Sequence, residues 1–286
     1  MTAGGGDILM EARIGQFSGR DGTKLYYEQW NPPEPKAGIV FVHGVGDHCG
    51  RYGPFTQYFL KRAYRVCLYD QRGHGKSEGK RSHVDDFESL YHDLEDYVKF
   101  CRKGSSENLP WFIVGHSLGG QIVINFLSRF PDVFRAAVAS SSNIEIALAI
   151  PGWVEKMSRK MVGVLPTMRL QGFIRPGMLS HDPKVVAAYK KDPLVSSNIT
   201  IKIGVEILKN LEQIYSLCTK IKTPLLMIHG SADKVCSPEG TKRFYRELIL
   251  AQKEMKIYEG MYHELFNEIK KEEVFHDVEH WFEKHF

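Results

Sequence analysis

Short, nearly continuous apolar runs alternate along this chain with longer stretches of helical periodicity. The runs predict strands at Leu25–Trp30, Gly38–His43, Tyr64–Asp70, Trp111–His116, Ala136–Ser140, Pro224–Gly230 and Glu254–Tyr258. Helical patterns fall between them, at Tyr52–Arg62, Val84–Arg102, Gln121–Phe130, Pro238–Leu250 and Glu272–Lys284. Several of the strands carry almost no polar residue, as expected when helices cover both faces of a sheet. The alternation predicts an α/β fold built on a mostly parallel, doubly wound sheet. No internal repeat or low-complexity tract interrupts it.

The rhythm breaks from about Asn143 to Thr200. No convincing strand occurs there, and Pro151, Gly152, Pro166, Pro176 and Pro183 punctuate short helical pieces. Residues 143–200 therefore read as an inserted helical cap that divides a core into segments 1–142 and 201–286, with the core resuming at a helix over Ile203–Leu217. An insertion over the carboxyl ends of a parallel sheet sits where such folds bind ligands. Inside it, Ile150, Trp153, Val154, Met157, Met161, Val162 and Leu165 recur near helical spacing, with Lys156, Arg159 and Lys160 among them. An apolar helix face of this kind most often packs on a core. Its basic flank also suits transient contact with a membrane surface, and its apolar character would allow a homodimer.

Composition narrows the class. A chain of 286 residues fits one large α/β domain with an insertion, and 43% hydrophobic with 25% charged residues is ordinary for a globular protein. The formal charge of +4 is no nucleic-acid footprint, while leaving room for a weak attraction to anionic lipid. The five cysteines (Cys49, Cys67, Cys101, Cys218 and Cys236) are odd in number and lack C-x-x-C spacing, which argues against a disulfide scaffold or a zinc site. Reduced thiols in a cytoplasmic compartment are the plainer reading. Met1 to Gly6 has the composition of a small, flexible segment, and the acidic Asp7 and Glu11 follow it, so no signal peptide is expected. No apolar stretch is long enough to span a bilayer.

The chemistry centres on Gly115-His116-Ser117-Leu118-Gly119-Gly120, which succeeds the run Trp111-Phe112-Ile113-Val114 and opens a helical stretch. A serine at the apex of a sharp strand-to-helix turn presents its hydroxyl above the sheet, ready to attack a carbonyl. Glycines on either side suit a turn that brings strand and helix too close for side chains. G-x-S-x-G alone is common, so its context decides.

A serine hydroxyl needs a histidine to take its proton, and the histidine needs a carboxylate to hold its tautomer. Asp233 comes after the strand Pro224–Gly230, and His263 after the strand ending at Tyr258, each just past a strand's C-terminal end. The order serine, acid, histidine is the one this kind of turn calls for. An isolated aspartate is commonly a turn or cap residue, and with 12 histidines some are bystanders; the ordered set is what carries weight. Negative charge developing on the carbonyl oxygen requires an oxyanion hole. The N–H of Leu118 supplies one donor, and Val45, flanked by Gly44 and Gly46 in the loop after Gly38–His43, supplies the other. That loop is no dinucleotide cradle, since it lacks the G-x-G-x-x-G pattern.

These residues carry a resemblance. The stretches HGVGDHCGRY from His43, YDQRGHGKSEG from Tyr69, GHSLGG from Gly115, DPLV from Asp192, HGSADKVC from His229 and KIYEGMYHELFNE from Lys256 resemble, in order and spacing, the monoacylglycerol lipase group of lysophospholipase-like serine hydrolases. The similarity runs from about Gly15 to the C-terminus. It implies an α/β-hydrolase fold, a triad of Ser117, Asp233 and His263, an oxyanion hole at Val45 and Leu118, and a helical lid with an apolar entrance for an acyl chain. It further implies that Asp47, Arg51 and Tyr189 meet a glycerol head group, and that Cys236 is a thiol near the site; a buried, inert thiol is the alternative there. Two positions depart from the group. Phe266 stands where a second histidine is usual, and Asp47 is one methylene shorter than the usual glutamate. Both departures touch the head-group end, which keeps lysophospholipid and short-ester hydrolysis open.

Other polar motifs read as structural. The loop Asp70-Gln71-Arg72-Gly73-His74-Gly75 has no second ligand at metal spacing and reads as a brace for the site. The acidic run Asp85, Asp86, Glu88, Asp93, Glu95 and Asp96 reads as a solvated helix face, and His43 and His116 as supporting hydrogen-bond partners. The expected activity is hydrolysis of a lipid ester, monoacylglycerol first, through an acyl-enzyme on Ser117 and without a cofactor. A lysophospholipase, a broader carboxylesterase or a thioesterase would share the apparatus. A dehalogenase or epoxide hydrolase would want aspartate at position 117. A catalytically inactive, ligand-binding homologue has little support when every catalytic position is filled.

Overall fold

The computed structural model describes residues 12–171 and 174–286. In chain order the strands are β1 (Ala12–Ser18), β2 (Lys24–Trp30), β3 (Ala37–Val42), β4 (Tyr64–Tyr69), β5 (Trp111–His116) and β6 (Ala136–Ser140), then the short β7 (Arg169–Leu170) and β8 (Ile199–Thr200), then β9 (Leu225–Gly230) and β10 (Lys253–Tyr258). The helices are α1 (Gly53–Leu60), α2 (Glu88–Arg102), α3 (Leu118–Leu127), α4 (Gly152–Met161), α5 (Pro183–Lys191), α6 (Ile201–Gln213), α7 (Pro238–Glu247) and α8 (Lys271–Glu283). One eight-stranded sheet runs in the order β1-β2-β4-β3-β5-β6-β9-β10. Its pairings from β4 to β10 are parallel, and β1–β2 and β2–β4 are antiparallel.

The unbroken apolar strands have a simple cause. Successive side chains point to opposite faces, and each face has its own core. Val40 and Val42 of β3 pack with Leu94, Tyr97, Ile122 and Phe244 on the side of α2, α3 and α7. Ile39 and Phe41 pack with Phe55, Phe59, Phe275 and Phe282 on the side of α1 and α8. With apolar helices on both sides, the central strands β5, β6 and β9 confine their buried polar residues, His116, Ser140 and His229, to their carboxyl ends.

Several sequence expectations need correction. The sequence pattern does not predict β1; only Phe17 and none of its other side chains is buried, so it lacks a strong apolar alternation. The pair β7–β8, two residues each, lies within or beside the segment expected to hold no strand, and is too short to leave a pattern. Helix α2 begins at Glu88 rather than Val84, with Asp86 accepting hydrogen bonds from the Ser89 N–H and hydroxyl at its start. Asp93 is not on a solvated face: it is buried and bound by Arg72 through two hydrogen bonds of 2.6 and 2.7 Å. The reading of Met1 to Glu11 lies outside the described residues.

Between β6 and α6 the chain is tied to the loops at the carboxyl ends of the strands. Ser196 donates its N–H to the Gly46 carbonyl at 2.8 Å, and Glu264 donates its N–H to the Leu179 carbonyl at 2.8 Å. His48 meets Asp192 at 2.8 Å. Thr200 caps α6 at Ile203 and donates its own N–H to Ser82.

Candidate active site

Ser117 stands between β5 and α3 with φ 55° and ψ −119°, a left-handed conformation disfavoured for a serine. Such a residue costs on the order of 1–3 kcal/mol and persists only where its surroundings over-determine it. They do so here. A Cβ on Gly119 would stand 2.1 Å from the Val42 carbonyl oxygen, and one on Gly115 2.4 Å from the Gly119 oxygen. The Ser117 N–H donates to Ser140, and the Ser117 carbonyl accepts from Gln121 and Asn143, so strand, helix and the segment after β6 all clamp the turn.

Asp233 and His263 come together as their positions after β9 and β10 predict. Nδ1 of His263 lies 2.7 Å from Oδ2 of Asp233, and both residues are buried. Oδ1 of Asp233 accepts from the N–H groups of Val235 and Cys236 at 2.7 and 3.1 Å. Burial opposes ionisation of Asp233, but the His263 charge and the bonds from His229 and His263 hold the carboxyl well below its usual range. Burial likewise opposes charging of His263; the adjacent Asp233 overcomes it and raises the ring above the ordinary histidine value. An imidazole held this way carries its proton on Nδ1 and leaves Nε2 free to act as a base.

The loop after β3 approaches the serine closely. A Cβ on Gly44 would stand 3.2 Å from the Ser117 Cβ and 3.6 Å from its Oγ. Gly46 has φ 70°, and a side chain there would collide with the Ser196 carbonyl. His43 shapes the loop from below: its Nε2 accepts the Gln71 N–H at 2.9 Å, so its Nδ1 donates to the Gly44 carbonyl at 2.7 Å. Its neighbour His74, 5.5 Å away between ring centroids, comes from the Asp70–Gly75 loop. Among the described residues, neither the Val45 nor the Leu118 N–H has a protein acceptor, the state an oxyanion donor requires.

A cavity of about 320 Å³ opens at Ser117. Its wall is mainly aliphatic: Val45, Ile146, Leu148, Ile150 and Val154, then Leu170, Ile174, Ile199, Ile201, Val205, Ile207 and Leu208. The polar side chains Ser117, Asn143, Glu155, Ser158 and Ser197 interrupt it. Cys236 lines the same space as Ser117, and burial pushes its thiol well above the ordinary range. Among the described residues no cluster of three or more His, Cys, Asp or Glu could hold a metal ion.

The remaining residues of interest sit elsewhere. Arg51 donates to both carboxylate oxygens of Glu264, at 2.8 and 2.7 Å, and to Asp47 at 3.0 Å. Asp47 also accepts the Tyr52 hydroxyl at 2.6 Å. Tyr189 lies against this group, its ring centroid 4.9 Å from the guanidinium, and burial pushes its hydroxyl up to about 12. None of the three lines the aliphatic cavity. Phe266 packs beneath the site against Phe41, Phe55 and His116. Sequence reasoning missed two contributors. Glu264, next to His263, gives no signal of its own in the chain. His229, at the end of β9, places Nε2 3.0 Å from Oδ2 of Asp233 and Nδ1 2.7 Å from the Thr241 hydroxyl. Its apolar approach and position at a strand end were legible; its target was not.

A serine on a strained strand–helix turn, over the carboxyl edge of a mostly parallel eight-stranded sheet, defines an α/β-hydrolase. The family model described as serine aminopeptidase, S33, matches residues 33–270, and the chain belongs to that family. Within it the chain groups with monoglyceride lipases. It is 32% identical to the monoglyceride lipase of Rattus norvegicus, over 91% of this chain and 87% of that one. Its fold matches the crystal structure of the Paleococcus ferrophilus monoacylglycerol lipase with a TM-score of 0.84 at 31% identity, over 92% of this chain and 99% of that one. It is also 32% identical to an uncharacterized abhydrolase domain-containing protein of Dictyostelium discoideum, over 95% of this chain, but spans only 29% of that protein's length.

Proposed function

We propose that this chain hydrolyses monoacylglycerol to fatty acid and glycerol. Ser117 attacks the ester carbonyl while Nε2 of His263 takes its proton, and Asp233 holds the ring and stabilises its positive charge. The N–H groups of Val45 and Leu118 receive the charge that forms on the carbonyl oxygen. The imidazolium then protonates the departing glycerol, leaving the acyl group on Ser117. Water activated by His263 attacks this acyl-enzyme, the fatty acid departs and the serine is regenerated. No cofactor enters any step.

The observation that carries this reading is the cavity itself: a mainly aliphatic lining that includes Ser117. Such a shape suits an acyl chain, and the names of the rat and Paleococcus relatives point to the same ester. Residues 143–200 act as a lid between core segments 1–142 and 201–286. Trp153 is 66% exposed and Val164 81%, beside the exposed Lys156 and Lys160. That surface suits transient contact with the membrane from which the lipid comes; a homodimer would use the same apolar residues. Among the described residues no helix is long and apolar enough to cross a membrane. Asp47, Arg51 and Tyr189 frame the head-group end mainly by holding the loop after β3, since the two charged groups already satisfy each other and Glu264.

Labelling with a fluorophosphonate probe tests the nucleophile. The native protein should be labelled once, at Ser117, and Ser117→Ala not at all. Labelling that survives in Ser117→Ala would overturn the assignment.

A further inference from the structure

We propose that His229 is a positioning residue for the same reaction, holding and partly neutralising the carboxylate oxygen that orients His263. This rests on the proposed roles of Ser117, His263 and Asp233 in ester hydrolysis.

Oδ2 of Asp233 receives two imidazole nitrogens, Nδ1 of His263 at 2.7 Å and Nε2 of His229 at 3.0 Å. An ionised carboxylate only accepts, so both nitrogens carry protons. With its proton on Nε2, a neutral His229 needs a donor at Nδ1, and the Thr241 hydroxyl stands there at 2.7 Å. The Cys236 carbonyl, 3.2 Å from Nε2, is a second acceptor for the same N–H. Every polar atom of the ring is thereby matched, in a place with no solvent exposure. The chain of bonds runs from Thr241 on α7 through His229 on β9 to Asp233 and on to His263.

This arrangement acts on the carboxylate in two ways. It has four hydrogen bonds, two on each oxygen, and cannot rotate away from His263. Part of its charge is also committed to His229, so it stabilises the His263 imidazolium less than an unshared carboxylate would. The other charged or titratable groups acting on His263 are Glu264 and Asp47, both paired with Arg51, and the ring of His116 at 4.8 Å. None of these contacts Oδ2, so of the charged groups acting on His263 a change at His229 touches Asp233 alone.

The test uses two isosteric replacements. The amide nitrogen of His229→Gln reaches the place of Nε2 and can still donate to Asp233, whereas that of His229→Asn reaches only the place of Nδ1. The acid limb of kcat/KM for a p-nitrophenyl ester is recorded for each, normalised to sites titrated by a fluorophosphonate. A lost hydrogen bond to a charged group predicts that the limb of His229→Asn moves up by about one pH unit, with His229→Gln close to the native protein. Thr241→Val, which releases the ring, should move the limb in the same direction by less, and serves if His229→Asn does not fold. A limb unmoved in His229→Asn, or in Thr241→Val when His229→Asn does not fold, overturns the proposal, as does an equal loss at every pH in the Asn and Gln proteins. Ester turnover surviving in Ser117→Ala would instead overturn the underlying reading of the site.

Discussion

Arg51, in the loop after β3, grips Glu264, the residue next to His263, through two hydrogen bonds of 2.8 and 2.7 Å. The loop that holds Val45 and the loop that holds His263 are thus locked together through a buried ion pair. Asp47 completes it, and burial, which opposes the charge on Asp47 and Arg51, is outweighed by the attraction within the group.

Arg51→Gln leaves two carboxylates buried without their cation. Breaking one side of such a pair costs about 3–5 kcal/mol, so the variant should melt well below the native protein and lose activity on every ester alike. Denaturant melts and parallel KM values for a glyceryl and a methyl ester check this. An unchanged melt with a raised KM for the glyceryl ester alone would show instead that Arg51 serves the head group directly.

On the proposed mechanism the pH profile is set by the pair Asp233–His263. His263 must be neutral to act as base, and its folded value is raised above the ordinary one, so activity falls as pH drops through that higher value. The acid limb of kcat/KM should have its midpoint above about 6.5. Stopped assays on a neutral ester between acid and neutral pH measure it; a midpoint below the ordinary histidine value would contradict the assignment of the base.

Much of this was legible in the chain, for identifiable reasons. The central strands stood out because both faces of the sheet are covered, as Ile39 and Val40 show by entering different cores. The turn at Ser117 and the meeting of Asp233 with His263 were legible by their order and by their places at strand ends. Relations between distant residues were not. Arg51 and Glu264 lie 213 positions apart, and either charge read alone could be a surface residue. Asp93 misled for the same reason, since Asp85, Asp86 and Glu88 of the acidic run are exposed while Asp93 is buried against Arg72. β1 escaped notice because pairing with β2, rather than burial, holds it.

Gly119→Ala tests the tight turn. The added methyl would meet the backbone oxygens of Val42 and His43 at 2.1 and 2.6 Å, and neither can swing aside as a side chain could. Overpacking of this kind costs about 1–3 kcal/mol, so thermal melts should show a lower Tm, and probe labelling of Ser117 should slow. A variant as stable and reactive as the native protein would mean the turn has slack.

The exposed face of α4 gives a separate prediction. Trp153→Ala combined with Lys160→Glu should weaken co-sedimentation with anionic vesicles and leave hydrolysis of a soluble ester intact. Unchanged sedimentation would show that this face does not contact membranes.

Head-group selectivity on the purified protein decides whether monoacylglycerol is the substrate. Monoacylglycerol, lysophosphatidylcholine and a short p-nitrophenyl ester are hydrolysed side by side, with Ser117→Ala as the blank. kcat/KM should favour monoacylglycerol clearly and fall by several orders of magnitude in the blank. Equal or faster turnover of lysophosphatidylcholine, or activity persisting in Ser117→Ala, would contradict the proposed function.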